Sequence, residues 1–265
     1  MELIPSIPES QSSGSQTPTM SLAGRLLNVF AAPGDVFAEI KMAPTSVANW
    51  LVPALLAAVI GSLSVVIVFS QPAIVQQIRE QQMKVFEDQV SAGKMTRAQA
   101  DQTEAMVEKF SGPTIMMISG SVGAVCSSFM RVFWWALVLW LLGLIFLKTK
   151  LDYLKTVEAA GLATMITILG TIVALLLTVI LGKMTTPSLA LLLDHFDSKN
   201  GLHLALAAVN LFALWQVGVM ATGLARLSGA RFSKALGLTT GYWVAIQLFF
   251  ILIAVLTNAI FAAAK

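Results

Sequence analysis

Five long apolar stretches alternate with polar connections along this chain. A helix that crosses a bilayer core of about 30 Å needs about 20 residues, and each stretch reaches that length. The pattern therefore predicts an all-α, polytopic integral membrane protein with five transmembrane helices. We place these helices at residues 47–69, 127–147, 155–181, 202–224 and 236–261.

A polar insertion at residues 71–112 separates the first two apolar stretches. Its Gln-rich first half keeps Ile74 and Phe86 on one side of a helix. Thr96, followed three residues later by Gln99, forms a capping box that begins a second helix. The insertion is therefore predicted to be a helical hairpin, and the topology described below makes it extracytoplasmic.

The second apolar stretch is longer than one crossing requires, because apolar or small residues continue over 114–147. Either one helix projects beyond the bilayer, or residues 114–126 form a separate segment at the membrane surface. A charge is costly at the bilayer centre and tolerable near an interface. We therefore expect Arg131 to mark the outer boundary of this span.

The segment before the first span is amphipathic. Residues 1–20 are predicted to be a disordered tail, and residues 21–265 to form the membrane domain. Apolar residues recur at helical spacing on both sides of Pro33 and Gly34, which indicates two short helices. These helices either rest in the headgroup region or pack on the membrane domain.

Composition agrees with the apolar pattern and excludes several functions. The chain is 57% hydrophobic and 12% charged, with a mean hydropathy of +0.80, which excludes a soluble domain. The net charge of +3 is spread thinly between apolar runs, so we expect no nucleic-acid partner. Cys126 is the single cysteine, which excludes an intramolecular disulfide.

Residues that carry chemistry are sparse. No Gly-rich phosphate loop, HExxH or GxSxG motif occurs. Asp194, His195 and Asp197 form the best metal-ligand cluster, but adjacent residues point in different directions, and a solvated helix end is the ordinary interpretation. We therefore expect no enzyme activity, no catalytic residue, no metal and no cofactor.

Basic residues concentrate in short connections on one side of the predicted membrane domain. Cytoplasmic loops carry an excess of Lys and Arg, so we predict a cytoplasmic N-terminus and an extracytoplasmic C-terminus. Beyond setting topology, these bases are candidate contacts for anionic lipid or for a partner. The candidates are Lys148, Lys150, Lys155, Arg226, Arg231 and Lys234. Glu158 is expected at the cytoplasmic interface beside Lys155.

Two connections resemble each other, "GLIFLKTKLDYLKTVEAAG" and "GLARLSGARFSKALGLTTG", which suggests that spans two and three repeat as spans four and five. The segment "FAAPGDVFAEI", a first span that opens on Trp50 and Pro53, and the turn "LARLSGARFSKALGLTTGYW" together resemble the bacterial branch of the Yip family. These are the Ypt/Rab-interacting membrane proteins. The resemblance covers roughly residues 22–261.

The resemblance implies a membrane protein with a cytoplasmic N-terminus and no known catalytic residues, located in a prokaryotic inner membrane. Eukaryotic members are linked to Rab GTPases, vesicle trafficking and membrane shaping. The Asp-Leu-Tyr-Gly-Pro motif of many such members is missing here, which argues against a Rab partner. The expected partners are the lipid bilayer, anionic lipids, and other membrane proteins or a second copy of the chain.

Polar residues within the spans leave two functions open. Asn210, Gln216 and Gln247 are candidate intramembrane contacts, either as hydrogen-bonding partners between helices or as parts of a transport path. Small or hydroxyl residues form two stripes suited to close helix packing: Thr164, Thr167 and Thr171, and Ser119, Gly123 and Ser127. We expect a non-enzymatic scaffold or membrane-organising, trafficking-like component; the alternative is a small-molecule or ion transporter or channel.

Overall fold

The computed structural model describes residues 20–110, 112–193, 195–197 and 200–263. Within these ranges the chain forms α-helices and no strand, which confirms the all-α class. The helices in chain order are α1 (Leu22–Ala31), α2 (Pro33–Met42), α3 (Ala48–Phe69), α4 (Pro72–Ser91), α5 (Arg97–Phe110), α6 (Pro113–Ile145), α7 (Tyr153–Leu181), α8 (Gly201–Ala208), α9 (Leu211–Ser228) and α10 (Phe232–Ala263).

Five of these helices, α3, α6, α7, α9 and α10, are long and apolar enough to cross a membrane, as predicted. They alternate in direction and define two faces of the bundle. We call the face that carries α1, α2 and the α6–α7 and α9–α10 connections the N-terminal face. The opposite face, with α4 and α5, is the hairpin face.

Close packing of α3 against α6 and α7 forms the centre of the bundle. A Cβ added at Gly61 of α3 would lie 3.2 Å from the Ala124 Cβ of α6, and one at Gly120 would lie 2.7 Å from Val65. These pairs show that α3 and α6 are antiparallel. Small residues allow this approach of the two backbones, as is usual between helices in membranes.

The stripe of α6 that packs on α3 is not the predicted one. Ser119, Gly123 and Ser127 are exposed, and a Cβ at Gly123 would meet nothing within 4 Å. The packed stripe, with Gly120 and Ala124, lies one residue further along. Spacing identifies a row of small residues but does not indicate which of two adjacent rows faces the neighbouring helix.

α6 is one continuous helix, so residues 114–126 are not a separate surface segment. Its position relative to α3 also corrects the expectation for Arg131. That residue lies between Ala124, which faces Gly61, and Phe133, whose ring is 5.3 Å from the Trp50 ring. Because both contacts are with α3, Arg131 lies within the spanning length rather than at the outer boundary. The length beyond Phe133, residues 134–145, extends about 18 Å towards the N-terminal face.

α1 and α2 pack on the bundle at the N-terminal face. Val29, Val36, Phe37 and Ile40 are fully buried in the same apolar core as residues of α7 and α9. Gly223 of α9 leaves space for the Phe37 ring, because a Cβ there would already contact that ring at 3.5 Å. The apolar face of this segment therefore packs on the membrane domain, which is one of the two predicted alternatives.

The predicted fourth span, residues 202–224, is interrupted. α8 ends at Ala208, and α9 begins after Asn210, whose Oδ1 accepts hydrogen bonds from the Phe212 and Ala213 amides at 2.9 and 3.2 Å. The backbone on both sides of Asn210 also pairs with residues 187–189. Asn210 is thus the N-cap of α9 rather than a contact between helices.

Replacing Asn210 with alanine is expected to lower the free energy of unfolding by about 1 kcal/mol, because two amides of the first turn of α9 lose their acceptor. The measurement is the midpoint of unfolding in mixed micelles. N210S is the matched control, since serine is an equally good cap, and it should remain within about 0.5 kcal/mol of the parent. Equal losses in both variants would contradict the capping role.

Candidate functional site

A fully buried carboxylate lies on the second turn of α7, near the N-terminal face. Glu158 is 0% exposed. One of its oxygens, Oε1, accepts hydrogen bonds from the Ser46 amide at 3.0 Å and from Lys155 Nζ at 3.1 Å, and Oε2 accepts one from Asn49 Nδ2 at 2.8 Å. The pairing with Lys155 agrees with the sequence, and the structure adds that three donors enclose the carboxylate.

The contacts of Glu158 continue into α1 and α2. Asn49 Oδ1 accepts a hydrogen bond from Arg25 Nη1 at 3.2 Å, and Arg25 Nη2 forms an ion pair with Glu39 Oε1 at 2.9 Å. We call Arg25, Glu39, Asn49, Lys155 and Glu158 the buried polar network. It contains two basic and two acidic groups, and it connects four helices, α1, α2, α3 and α7.

The contacts of the buried polar network indicate a structural role. Glu158 is fully buried and accepts three hydrogen bonds from protein groups, so the carboxylate is occupied by structural contacts. Buried ion pairs contribute little net stability, but removing one partner leaves the other charge buried and unpaired, which is strongly destabilising. The network therefore fixes how α1 and α2 sit on the bundle.

A cleft of about 710 Å³ opens beside α2 on the N-terminal face, between α2, the end of α9 and the start of α10. Lys41 and Arg226 supply its charges, and exposed Met42 and Phe232 supply apolar surface at 84% and 50% exposure. Gly229 completes the turn in the left-handed conformation, with φ of +73°. We call this site the basic cleft.

Backbone atoms lie close to both bases of the basic cleft. Lys41 Nζ donates a hydrogen bond to the Arg226 carbonyl oxygen at 2.9 Å, where the C-terminal end of α9 favours a positive charge. The Arg226 guanidinium lies against Gly34, since a Cβ there would be 3.1 Å from Arg226 Nη2. Arg226 forms no ion pair with any residue that the structure describes, so its charge faces the cleft.

The structure separates the six predicted basic contacts. Arg226 lines the basic cleft, and Arg231 and Lys234 are exposed in the adjoining turn. Lys148 and Lys150 are exposed in the α6–α7 connection. Lys155 does not fit its prediction, because its ammonium is engaged by Glu158 and by the Ala43 carbonyl oxygen at 2.8 Å and its side chain is only 12% exposed.

The sequence analysis did not identify Lys41 as part of a site. The only sequence feature that could have indicated Lys41 is its position in the last turn of an amphipathic helix. Its closeness to the basic α9–α10 turn becomes visible only in the folded structure. Arg25, Glu39 and Asn49 were also missed, since nothing in their local sequence distinguishes them from ordinary surface polar residues.

The three predicted intramembrane polar residues do not converge. Gln216 Oε1 accepts a hydrogen bond from Thr167 Oγ1 at 3.0 Å, which joins α7 to α9. Gln247 of α10 lines a cavity of about 200 Å³ against apolar residues of α8. Asn210 caps α9, as described above. Each of the three side chains therefore has its own local contacts, in different parts of the bundle.

The cluster that was considered as a metal site and set aside includes Asp194, which lies outside the described residues. His195 is exposed, and the Asp197 amide donates to His203 Nδ1 at 3.0 Å. Among the residues that the structure describes, no group of three His, Cys, Asp or Glu side chains could hold a metal ion.

The helix order and the N-terminal helices packed on five long apolar helices can now be compared with known proteins. A family model described as the Yip1 domain matches residues 27–255. The chain belongs to the Yip1 domain family. No curated protein and no solved structure matches it.

The Yip1 match covers most of both sites. It begins inside α1 and ends inside α10, so it includes all the residues that line the basic cleft. It also includes every residue of the buried polar network except Arg25. The protein is thus an integral membrane protein of the Yip family, whose apolar helices contact the lipid bilayer.

Proposed function

We propose that this Yip1-domain protein is a non-enzymatic scaffold that organises the membrane around it, and that it binds anionic lipid in the basic cleft. It belongs to the bacterial branch of the family and acts in a prokaryotic inner membrane. Its partners are anionic lipids together with other membrane proteins or further copies of itself. The observation that carries the proposal is the combination of two bases and two exposed apolar side chains in one cleft.

The orientation follows from the bases of the N-terminal face. The two short connections there and the helix ends beside them carry Lys148, Lys150, Arg226, Arg231 and Lys234. Short cytoplasmic loops are enriched in such residues. This distribution supports a cytoplasmic N-terminal face, with the hairpin of α4 and α5 and the C-terminus on the extracytoplasmic side.

The basic cleft suits an amphiphilic anion. Lys41 and Arg226 can bind a phosphate group, while Met42 and Phe232 offer apolar surface to glycerol and the first part of an acyl chain. Each base near an anionic membrane surface contributes about 1 kcal/mol. Arg231 and Lys234, in the next turn, increase the local positive potential.

The double variant Lys41→Gln/Arg226→Gln should bind dioctanoyl-phosphatidylglycerol about 30-fold more weakly than the parent, because two charges worth about 1 kcal/mol each are removed. Titration of the detergent-solubilised protein, followed by tryptophan fluorescence, measures the affinity. Lys148→Gln/Lys150→Gln removes the same charge outside the cleft and should bind as the parent does.

Dioctanoyl-phosphatidylcholine should bind weakly to all three proteins, because it carries no net charge. An equal loss in both double variants would mean that overall charge, rather than the cleft, attracts the lipid. An unchanged affinity in Lys41→Gln/Arg226→Gln would contradict the proposed site.

Transport is the alternative function. Asn210 caps a helix, Gln216 pairs with Thr167, and Gln247 faces an apolar cavity; these separate structural contacts support a scaffold over a transporter. Purified protein in liposomes tests this alternative. Flux of an ion or small solute that is lost in N210A or in Gln247→Leu would overturn the scaffold proposal.

A further inference from the structure

Arg131 is a charged residue inside the membrane-spanning bundle. It lies on α6 between two contacts with α3, at Gly61 and at Trp50, and so within the length of a helix that itself crosses the membrane. An arginine at such depth costs at least about 2.5–3.5 kcal/mol unless it is paired or hydrated. Residues of this kind commonly mark functional sites.

Arg131 has no counter-charge in the described part of the chain. The ion pairs there are Arg25–Glu39 and Lys155–Glu158, and no hydrogen bond from the Arg131 guanidinium to a described residue occurs. A guanidinium carries five N–H donors in a planar fork that matches carboxylate and phosphate oxygens. These donors are available to a ligand.

The side chain lines a crevice of about 80 Å³ between α3, α6 and α7. Side chains on a helix lean towards its N-terminus, so Arg131 leans towards the hairpin face and the preceding turn of α6. The crevice is accordingly lined by Ala57 and Gly61 of α3 and by hydroxyl side chains of α6 and α7. These hydroxyl residues are Ser127, Ser128, Thr164, Thr167 and Thr171.

A second unpaired donor belongs to Gln216, which contacts the lining residue Thr167 but does not itself line the crevice. Gln216 is 8% exposed, and its Oε1 accepts the hydrogen bond from Thr167. Its buried Nε2 has no hydrogen-bond partner among the described residues. The five lining hydroxyl groups donate their own hydrogen atoms to backbone carbonyls and to Gln216. The free donors of the crevice are therefore those of Arg131, and their positive charge suits an anion rather than a cation.

The volume of the crevice and the route into it further restrict which ligand can bind. One water-sized atom occupies about 15 Å³ of such a volume, so the crevice holds about five heavy atoms. This is the size of a carboxylate or phosphate group. Arg131 is exposed on the side of the bundle, so the crevice opens laterally. A group carried by a lipid is the favoured source, because a free ion of the same chemistry would have to cross hydrocarbon to reach a lateral opening. The free ion is the second source that the test distinguishes.

We propose that the Arg131 crevice binds an oxyanion, a phosphate or a carboxylate group, within the membrane-spanning bundle. Arg131 supplies the forked donors, and the hydroxyl groups of α6 and α7 supply the polar wall. This site shares no lining residue with the basic cleft and does not depend on the scaffold function.

The test uses the full chain in detergent with the Lys41→Gln/Arg226→Gln background, so that the basic cleft does not contribute. Two probes distinguish the sources of the oxyanion: dioctanoyl-phosphatidylglycerol for a lipid, and inorganic phosphate for a free ion. Native mass spectrometry counts bound lipid, and calorimetry measures phosphate binding. At least one probe should bind with a stoichiometry of one.

Adding Arg131→Gln should weaken binding of that probe at least about tenfold, because a charged, forked donor is lost. Arg131→Lys should be intermediate, since it keeps the charge without the fork. Arg79→Gln, which removes the same charge from the exposed face of α4, should have no effect. Thermal unfolding and gel filtration establish that each variant is folded.

Ser127→Leu keeps Arg131 and fills the crevice from an exposed position of α6, so it tests the site even if Arg131→Gln does not fold. It should also reduce binding about tenfold. Binding of neither probe would overturn the proposal. Unchanged binding in Ser127→Leu, or in folded Arg131→Gln, would also overturn it.

Discussion

Glu158→Gln is expected to lower the free energy of unfolding by about 3 kcal/mol, because breaking a buried ion pair leaves an uncompensated charge. Three donors, from Ser46, Asn49 and Lys155, converge on this carboxylate. In the variant, one carboxylate oxygen becomes an NH₂ group, so at least one donor faces another donor. The Lys155 ammonium also loses its counter-charge, although its 12% exposure keeps the loss near the lower end of the range.

Unfolding in mixed micelles, followed by the fluorescence of the six tryptophans, measures this change. Glu80→Gln is the control, since Glu80 is exposed on α4 and accepts one hydrogen bond from Gln76. Its effect should remain within about 0.5 kcal/mol. The double variant Lys155→Met/Glu158→Gln should be less destabilised than the sum of its single variants, because it no longer contains the uncompensated charge.

Strictly additive effects of Lys155→Met and Glu158→Gln would show that the two residues do not act as a pair. A parent-like stability for Glu158→Gln would show that the buried polar network does not hold α1 and α2 on the bundle.

Gly161→Ala is expected to destabilise the protein by about 3 kcal/mol, at the upper end of the range for overpacking. A Cβ at this position would lie 2.3 Å from the Trp50 Cα and 2.9 Å from the Asn49 carbonyl oxygen. Backbone atoms cannot rotate away as a side chain can. α3 and α7 would therefore have to separate where Asn49 reaches Glu158, and the same micelle unfolding experiment would report the loss.

Gly218→Ala is the matched control, because a Cβ at this position of α9 would meet nothing within 4 Å. Alanine is the better helix former by about 1 kcal/mol, so this variant should be as stable as the parent or slightly more stable. Similar losses in Gly161→Ala and Gly218→Ala would indicate a general requirement for glycine rather than the close approach of α3 and α7.

The helices that cross the membrane could be predicted because the length of an apolar run is a local property. The depth of each helix in the membrane could not be predicted. Nothing in the long apolar run of α6 marks which part lies beside α3, and the single charge at Arg131 suggested a boundary that the pairing of Gly61 with Ala124 excludes. The break at Asn210 was missed for a related reason, since a capping asparagine and a buried one look alike inside an apolar run.

The candidate sites were only partly predictable. The bases of the α9–α10 turn stand out in the sequence, and one of them, Arg226, lines the basic cleft. Its companion, Lys41, is 185 residues away in the chain and reaches the turn only through the packing of α2 on α9. Lys155 and Glu158 are three residues apart and were predicted as neighbours, but the partners that bury Glu158 come from other helices.

The distance in sequence between Asn49 and Glu158 has a consequence for biosynthesis. The two residues are 109 positions apart. At a ribosomal rate of about 5–20 residues per second, α3 leaves the ribosome about 5–20 s before its carboxylate partner has been made. During that interval the Asn49 amide has no carboxylate to bind. The N-terminal helices can reach their final position only after α7 has been translated, so this end of the protein matures late although it is made first.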